Sequence, residues 1–214
     1  MKNSIGTTIL VLACIVALIF GITIARFMRS PQYSTEQLAE MGLVLYETPR
    51  NLSPFELTDD RGQPFGPEQL RGHWNLVFFG YTFCPDICPT TLALLTRVER
   101  QLEQDQVTPL PQVIFVSVDP QRDTAEQLLR YLGNFNPDFI GASNDDIPAL
   151  ADFAKQLNSL FAKVPLSEDD PSQYLVDHSG HILLINPQGQ LAGFFRTPHQ
   201  LDNLVQTYKA VIDR

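Results

Sequence analysis

Phe78-Phe-Gly-Tyr-Thr-Phe-Cys84-Pro-Asp-Ile-Cys88-Pro-Thr90 is the stretch whose reading decides the fold. It leaves a dense apolar run, Trp74-Asn-Leu-Val-Phe-Phe79, suited to a strand buried on both faces. It ends at Pro89, whose missing N–H fits the first helical position. A buried strand is therefore predicted to turn sharply and enter a helix from Pro89 to about Asp105. Leu92, Leu95, Val98 and Leu102 would share one side of that helix. Cys88 would sit at its N-cap, where the partial positive charge of the helix end favours thiolate over thiol.

Working outward, Phe55-Glu-Leu57 is a short strand candidate, and Pro64-Phe65 returns as its partner across the Asp60-Arg-Gly62 turn. Val113-Ile-Phe-Val-Ser-Val118 is a second buried strand. Helices are predicted over 124–135 and 147–158. Tyr174-Leu-Val176 and Ile182-Leu-Leu-Ile185 read as strands joined across His178-Ser-Gly-His181. A strand over Gln190 to Phe195 and a helix from His199 onward close the chain. Strands separated by helices imply parallel pairing, and the late hairpin adds an antiparallel part. The expected fold is α/β: a mixed sheet flanked by helices, with cysteines after the first central strand, which is the thioredoxin-like arrangement.

The chain holds 3 cysteines, too few for a disulfide scaffold. Cys14 lies in apolar surroundings. Cys84 and Cys88 form a close pair, which suits redox chemistry or a soft metal. Thiolates prefer Cu(I), zinc or iron–sulfur iron. Zinc wants four ligands, which two cysteines alone do not supply. The three residues between the cysteines differ from the two of the usual thioredoxin-type redox motif.

Four histidines compete for a third donor role. His178, in Val176-Asp-His-Ser-Gly180, falls at the predicted hairpin tip near the cysteine loop. From spacing alone it is as readily a solvated loop residue as a ligand. His73 precedes the first central strand, His181 begins a strand, and His199 follows Pro198 as a cap or surface residue. In Val118-Asp-Pro-Gln-Arg-Asp-Thr124, Asp119 falls at the strand ends that border open α/β sites. It would support a ligand rather than bind metal itself. The plainer reading of this segment is a turn with Asp123 or Thr124 capping a helix.

Composition frames this core. Hydrophobic residues make up 44% and charged residues 18%, enough for an ordinary core without staples. Lys2, Arg26 and Arg29 are the only charges before Glu36. Setting them aside from the 15 basic residues leaves 12 against 24 acids. So acidic a body argues against nucleic acid, whose phosphates need Lys and Arg. Asn3 to Ala25 carries no charge. As a helix it spans roughly 34 Å, enough to cross a bilayer. Residues 1–29 are therefore expected to be a membrane anchor spanning about 4–26, followed by a tether over 30–50 with a helical turn or two at Thr35 to Met41. The folded domain would cover 51–214. A cleaved signal peptide competes, but its apolar region would be shorter.

Three segments together carry a resemblance: Gly80-Tyr-Thr-Phe-Cys-Pro-Asp-Ile-Cys-Pro89, Val116-Ser-Val-Asp-Pro-Gln-Arg-Asp-Thr124, and Tyr174-Leu-Val-Asp-His-Ser179. They resemble the Sco/SenC family of membrane-tethered copper proteins, in order, over about residues 50 to 214. The resemblance implies a thioredoxin-like domain in the periplasm, held to the inner membrane by one N-terminal transmembrane helix. It implies copper, as Cu(I) or Cu(II), on Cys84, Cys88 and His178, with Asp119 in support. The family's usual role implies cytochrome c oxidase subunit II as partner, and another periplasmic copper carrier as a further one.

Two functions of different classes follow. One is a copper metallochaperone that helps build the oxidase copper centre. The other is a thiol–disulfide reductase, in which a low-pKa thiolate attacks a partner disulfide and the second cysteine resolves it. A peroxidase is a weaker third reading, since neither a second nearby cysteine nor His178 has a role there. His178 discriminates: a copper site needs a third ligand and a reductase does not.

Overall fold

A computed structural model describes residues 2–27, 33–167, 169–170 and 172–213; the side chains of 2–5 and 22–27 lie outside the description. Residues 30–32 of the expected tether are likewise outside the described residues. Helix α1 runs from Lys2 to Phe27. From Gly6 to Gly21 all its side chains are exposed, Ile9, Leu10, Val11, Leu12 and Phe20 among them. Among the described residues, no helix is long and apolar enough to cross a membrane.

The folded body begins earlier than the sequence suggests. Helix α2, Thr35–Glu40, is capped by Ser34, whose hydroxyl accepts the Gln37 N–H while Gln37 reaches back to the Ser34 N–H. Strand β1, Leu43–Asn51, follows. Leu38 and Leu43 are fully buried. The tether predicted over 30–50 is therefore corrected: residues 35–51 belong to the packed domain. Pro49 and the single helical turn concealed a strand that is mostly half exposed and so lacks a dense apolar run.

Next come β2 (Leu57–Asp59), β3 (Pro64–Phe65), β4 (Asn75–Gly80), α3 (Ile87–Gln104), β5 (Gln112–Ser117), α4 (Ala125–Gly133), β6 (Ile140–Ser143), α5 (Ile147–Gln156), β7 (Phe161–Pro165), β8 (Tyr174–His178), β9 (Ile182–Ile185), β10 (Gln190–Phe195) and α6 (Leu201–Ile212). The main sheet has the order β1-β10-β9-β4-β5-β6-β2-β3. The pairs β4–β5 and β5–β6 are parallel; β9 and β10 add antiparallel strands on one side and β2–β3 on the other. All six residues of β4 are buried, as its apolar run requires.

Successive side chains of β4 point to opposite faces. Phe78 meets Phe115, which in turn meets Tyr131 of α4. Phe79 meets Phe153 of α5 on the other face. Helices thus cover both faces, and the mixed-sheet α/β expectation holds. Thr124 caps α4 by accepting the Gln127 N–H.

The predicted hairpin of Tyr174–Val176 with Ile182–Ile185 does not form. Strand β8 pairs instead with β7, in a separate two-stranded ribbon. Strand β9 pairs with β4 and β10. The β7 segment is largely exposed and interrupted by Lys163 and Pro165, which hid it from a hydrophobic pattern.

Candidate metal centre

Cys84 lies in the loop between β4 and α3, with its N–H bonded to the Tyr81 carbonyl. Cys88 is the second residue of α3, and Asp86 rather than Cys88 is the N-cap. The expected assignment is corrected accordingly: Pro89 is in the first turn, where a missing N–H still costs nothing, but not at its first position. The sulfur at the helix end is that of Cys84, which accepts the Cys88 backbone N–H at 3.5 Å. Cys88 is fully buried, whereas Cys84 keeps 9% of its surface exposed.

Gly80 makes room for this arrangement. A Cβ there would come within 2.7 Å of the Cys88 sulfur and 2.6 Å of the Phe115 ring. No other residue type fits without displacing one of them.

His178 ends β8. Its Nδ1 is 3.2 Å from the Ser179 carbonyl, so Nδ1 carries the proton and donates. This leaves Nε2 free to accept, and Nε2 lies 3.3 Å from the Cys88 sulfur. Phe78 and Tyr81 wall the imidazole, with ring centroids at 5.8 and 6.0 Å in edge-on contact. The two sulfurs and the imidazole nitrogen all fall within 4.8 Å of one another. Among the described residues they are the one group of His, Cys, Asp or Glu placed to hold a metal ion.

The two thiols are polarised oppositely. Hydrogen bonding from the Cys88 thiol, and secondarily from the N–H groups of Asp86 and Cys88, pushes the Cys84 pKa down to about 3. Cys88, facing that sulfur and buried, is pushed far up. At neutral pH the pair is one thiolate and one thiol. Two soft sulfurs and one imidazole, with no fourth His, Cys, Asp or Glu donor beside them among the described residues, match the low coordination that Cu(I) accepts better than the tetrahedron that zinc prefers.

Asp119 is fully buried but does not reach the donors. It pairs with Arg122 and accepts the Tyr174 hydroxyl at 2.8 Å. Asp123, which the sequence offered only as a cap, is also buried. It accepts from Thr82 N–H (2.9 Å), Thr82 Oγ1 (2.6 Å) and Ser117 Oγ (2.6 Å), so it holds the loop that carries Cys84. Helix periodicity gives no signal for such a role, because the contacts cross 41 residues. The other histidines stay apart: the His181 ring packs on Phe194, and Nε2 of His199 donates to the Gly180 carbonyl at 2.9 Å rather than capping α6.

The family model described as SCO1/SenC matches residues 45–213. The chain belongs to the SCO1/SenC family. A SCO2-like protein of Rickettsia prowazekii is 36% identical over 156 residues, covering 73% of this chain and 74% of its own. Among solved structures, copper-bound ScoI of Arabidopsis thaliana superposes with a TM-score of 0.68 at 31% identity, over 75% of this chain and 97% of its own. Copper-bound yeast Sco1 gives 0.69 at 29% identity, over 77% and 90%. The SCO1/SenC match begins within β1, in keeping with a folded body that starts before residue 51.

Proposed function

We propose that this protein is a membrane-tethered copper carrier that binds one copper through Cys84, Cys88 and His178. The convergence of the three donors within 4.8 Å carries this reading. Copper-bound structures of relatives support it. The copper is cargo. A three-donor site in which Cys84 keeps 9% of its surface exposed lets an acceptor thiolate replace the donors one at a time, starting from Cys84, which suits transfer rather than storage.

The usual role of the family makes the acceptor the dinuclear copper centre of cytochrome c oxidase, on subunit II, with another periplasmic carrier as a copper source. The uncharged sequence run from Asn3 to Ala25, together with the same family role, supports a single-pass anchor in the inner membrane with the domain in the periplasm.

The polarised pair supports a second reading, a thiol–disulfide reductase. The Cys84 thiolate would attack a partner disulfide, forming a mixed disulfide and releasing one partner thiolate. Cys88, after giving up its proton, would attack the Cys84 sulfur and release the second. The partner gains two electrons and the Cys84–Cys88 pair becomes a disulfide.

The deciding experiment loads full-length, reduced protein in detergent with Cu(I) under anaerobic conditions. One tight copper, abolished by Cys84→Ser with Cys88→Ser and transferred to a soluble oxidase subunit II domain, is expected. Weak binding beside fast reduction of that domain's disulfide would select the reductase. Release of the protein from membranes by alkaline carbonate would defeat the anchor.

A further inference from the structure

Cys84 and Cys88 are fixed by β4 and α3, which belong to the main body. His178 is not, because its strand lies in the separate β7–β8 ribbon. Something other than the main-sheet ladder must therefore hold the third donor at its distance from the sulfurs. The side chain of Arg122, in the loop after β5, reaches both halves of the site.

Toward the ribbon, the Arg122 guanidinium lies 3.8 Å from the centroid of the Tyr174 ring, and its Nη1 donates to the Tyr174 carbonyl at 3.3 Å. Tyr174 begins the strand that His178 ends. Toward the cysteine loop, the same guanidinium lies 5.6 Å from the Tyr81 ring and 5.0 Å from the Phe83 ring. Phe83 is the neighbour of Cys84, and Tyr81 is the ring against His178. Asp119, fully buried, pairs with Arg122 Nε and also accepts the Tyr174 hydroxyl. Lys163 adds a weaker tie, from β7 to Gln121 Oε1 at 2.7 Å.

We infer that Arg122 is a positioning residue that locks the His178 strand against the cysteine loop, and so sets the third donor of the site. The role demands arginine. A planar guanidinium stacks on rings while its fork serves a carboxylate and a carbonyl at once, whereas a lysine ammonium is a single compact charge. The inference rests on copper binding at Cys84, Cys88 and His178, but the placement of the strand is testable without metal.

The test compares wild type, Arg122→Met, His178→Ala and the double variant, all full length. Cu(I) affinity is measured by competition with a chromophoric chelator. Arg122→Met is expected to weaken binding about 10- to 100-fold, the usual loss when a group orienting a metal ligand is removed. In the His178→Ala background the same change should cost nothing further, because its action runs through that imidazole. An equal loss in both backgrounds overturns the proposal. Amide hydrogen exchange over 174–178 in the metal-free protein supplies the second readout. It should speed up in Arg122→Met and overturns the proposal if unchanged. Should Arg122→Met fail to fold, Arg122→Lys replaces it. Lysine keeps the Asp119 pair and loses the stack, so intermediate affinity and exchange are expected, and wild-type values overturn the lock. Absence of copper binding in wild type defeats the carrier reading alone, while the exchange result still decides the lock.

Discussion

Nε2 of His178 stands 3.3 Å from Sγ of Cys88, although the two residues are 90 apart in the chain. The contact joins two substructures, the β4–α3 turn and the β7–β8 ribbon. It turns a redox-style cysteine pair into a three-donor cluster. In the neutral imidazole, the Nδ1 proton held by the Ser179 carbonyl leaves the nitrogen facing the sulfurs with its lone pair free.

His178→Ala should therefore weaken Cu(I) binding by on the order of a hundredfold, since a direct donor should be worth at least as much as a group that only orients one. The cysteine pair would still hold copper, but with two donors. X-ray absorption at the copper edge should show the light-atom scatterer lost. An unchanged spectrum would exclude His178 as a ligand.

The Cys84 pKa, pushed down to about 3, predicts unusual alkylation behaviour. A free cysteine reacts through its thiolate and slows below about pH 8.5. In the reduced, metal-free protein, Cys84 should be labelled by iodoacetamide at a nearly constant rate down to pH 5, while buried Cys88 stays unlabelled. Mass spectrometry of peptides after timed quenching reads both. A Cys84 rate that rises with a midpoint near 8.5 would contradict the polarised pair.

Gly80→Ala should strike the fold and the site together, because its methyl would overlap the Phe115 ring and the Cys88 sulfur. Overpacking of this kind costs about 1–3 kcal/mol. Urea unfolding should register that loss, and copper affinity should fall as Cys88 is displaced. A stable variant with wild-type affinity would show that the β4 end yields more easily than its packing implies.

Leu38→Ala tests where the domain begins. Leu38 is fully buried, so losing its side chain should cost about 2–5 kcal/mol. If residues 30–50 were a mere tether, the substitution would be neutral. Chemical denaturation distinguishes the two.

His199 supplies the pH dependence. Burial lowers its pKa, so the folded state holds it neutral where the unfolded chain, with a pKa near 6.5, takes up a proton. Its contribution is thus present above about pH 6.5 and is lost as pH falls toward the folded pKa, by at most about 1.4 kcal/mol per pH unit. Wild type should lose more stability than His199→Gln between pH 7.5 and 5.5. Parallel losses would remove His199 as the cause.

The sequence by itself determined the parts whose cause is local. An apolar run such as Trp74–Phe79 has little choice but a buried strand. Paired prolines and cysteines at its end mark the turn into α3, and alternating strands and helices set a mixed α/β sheet. It also named Cys84, Cys88 and His178, through three motifs that resemble one family. Where an element depended on a distant partner, the sequence was silent or misleading. Strand β1 exists because β10 offers it an edge, and β8 pairs with β7 rather than β9. Which sulfur carries the negative charge was also settled in three dimensions. The helix starts at Ile87 and the thiol of Cys88 faces inward, so the helix-end N–H groups point at Cys84. Tertiary structure alone gave Asp119, Arg122 and Asp123 their work, because hydrogen bonds and ring stacking act across space, between residues that no periodicity in the chain connects.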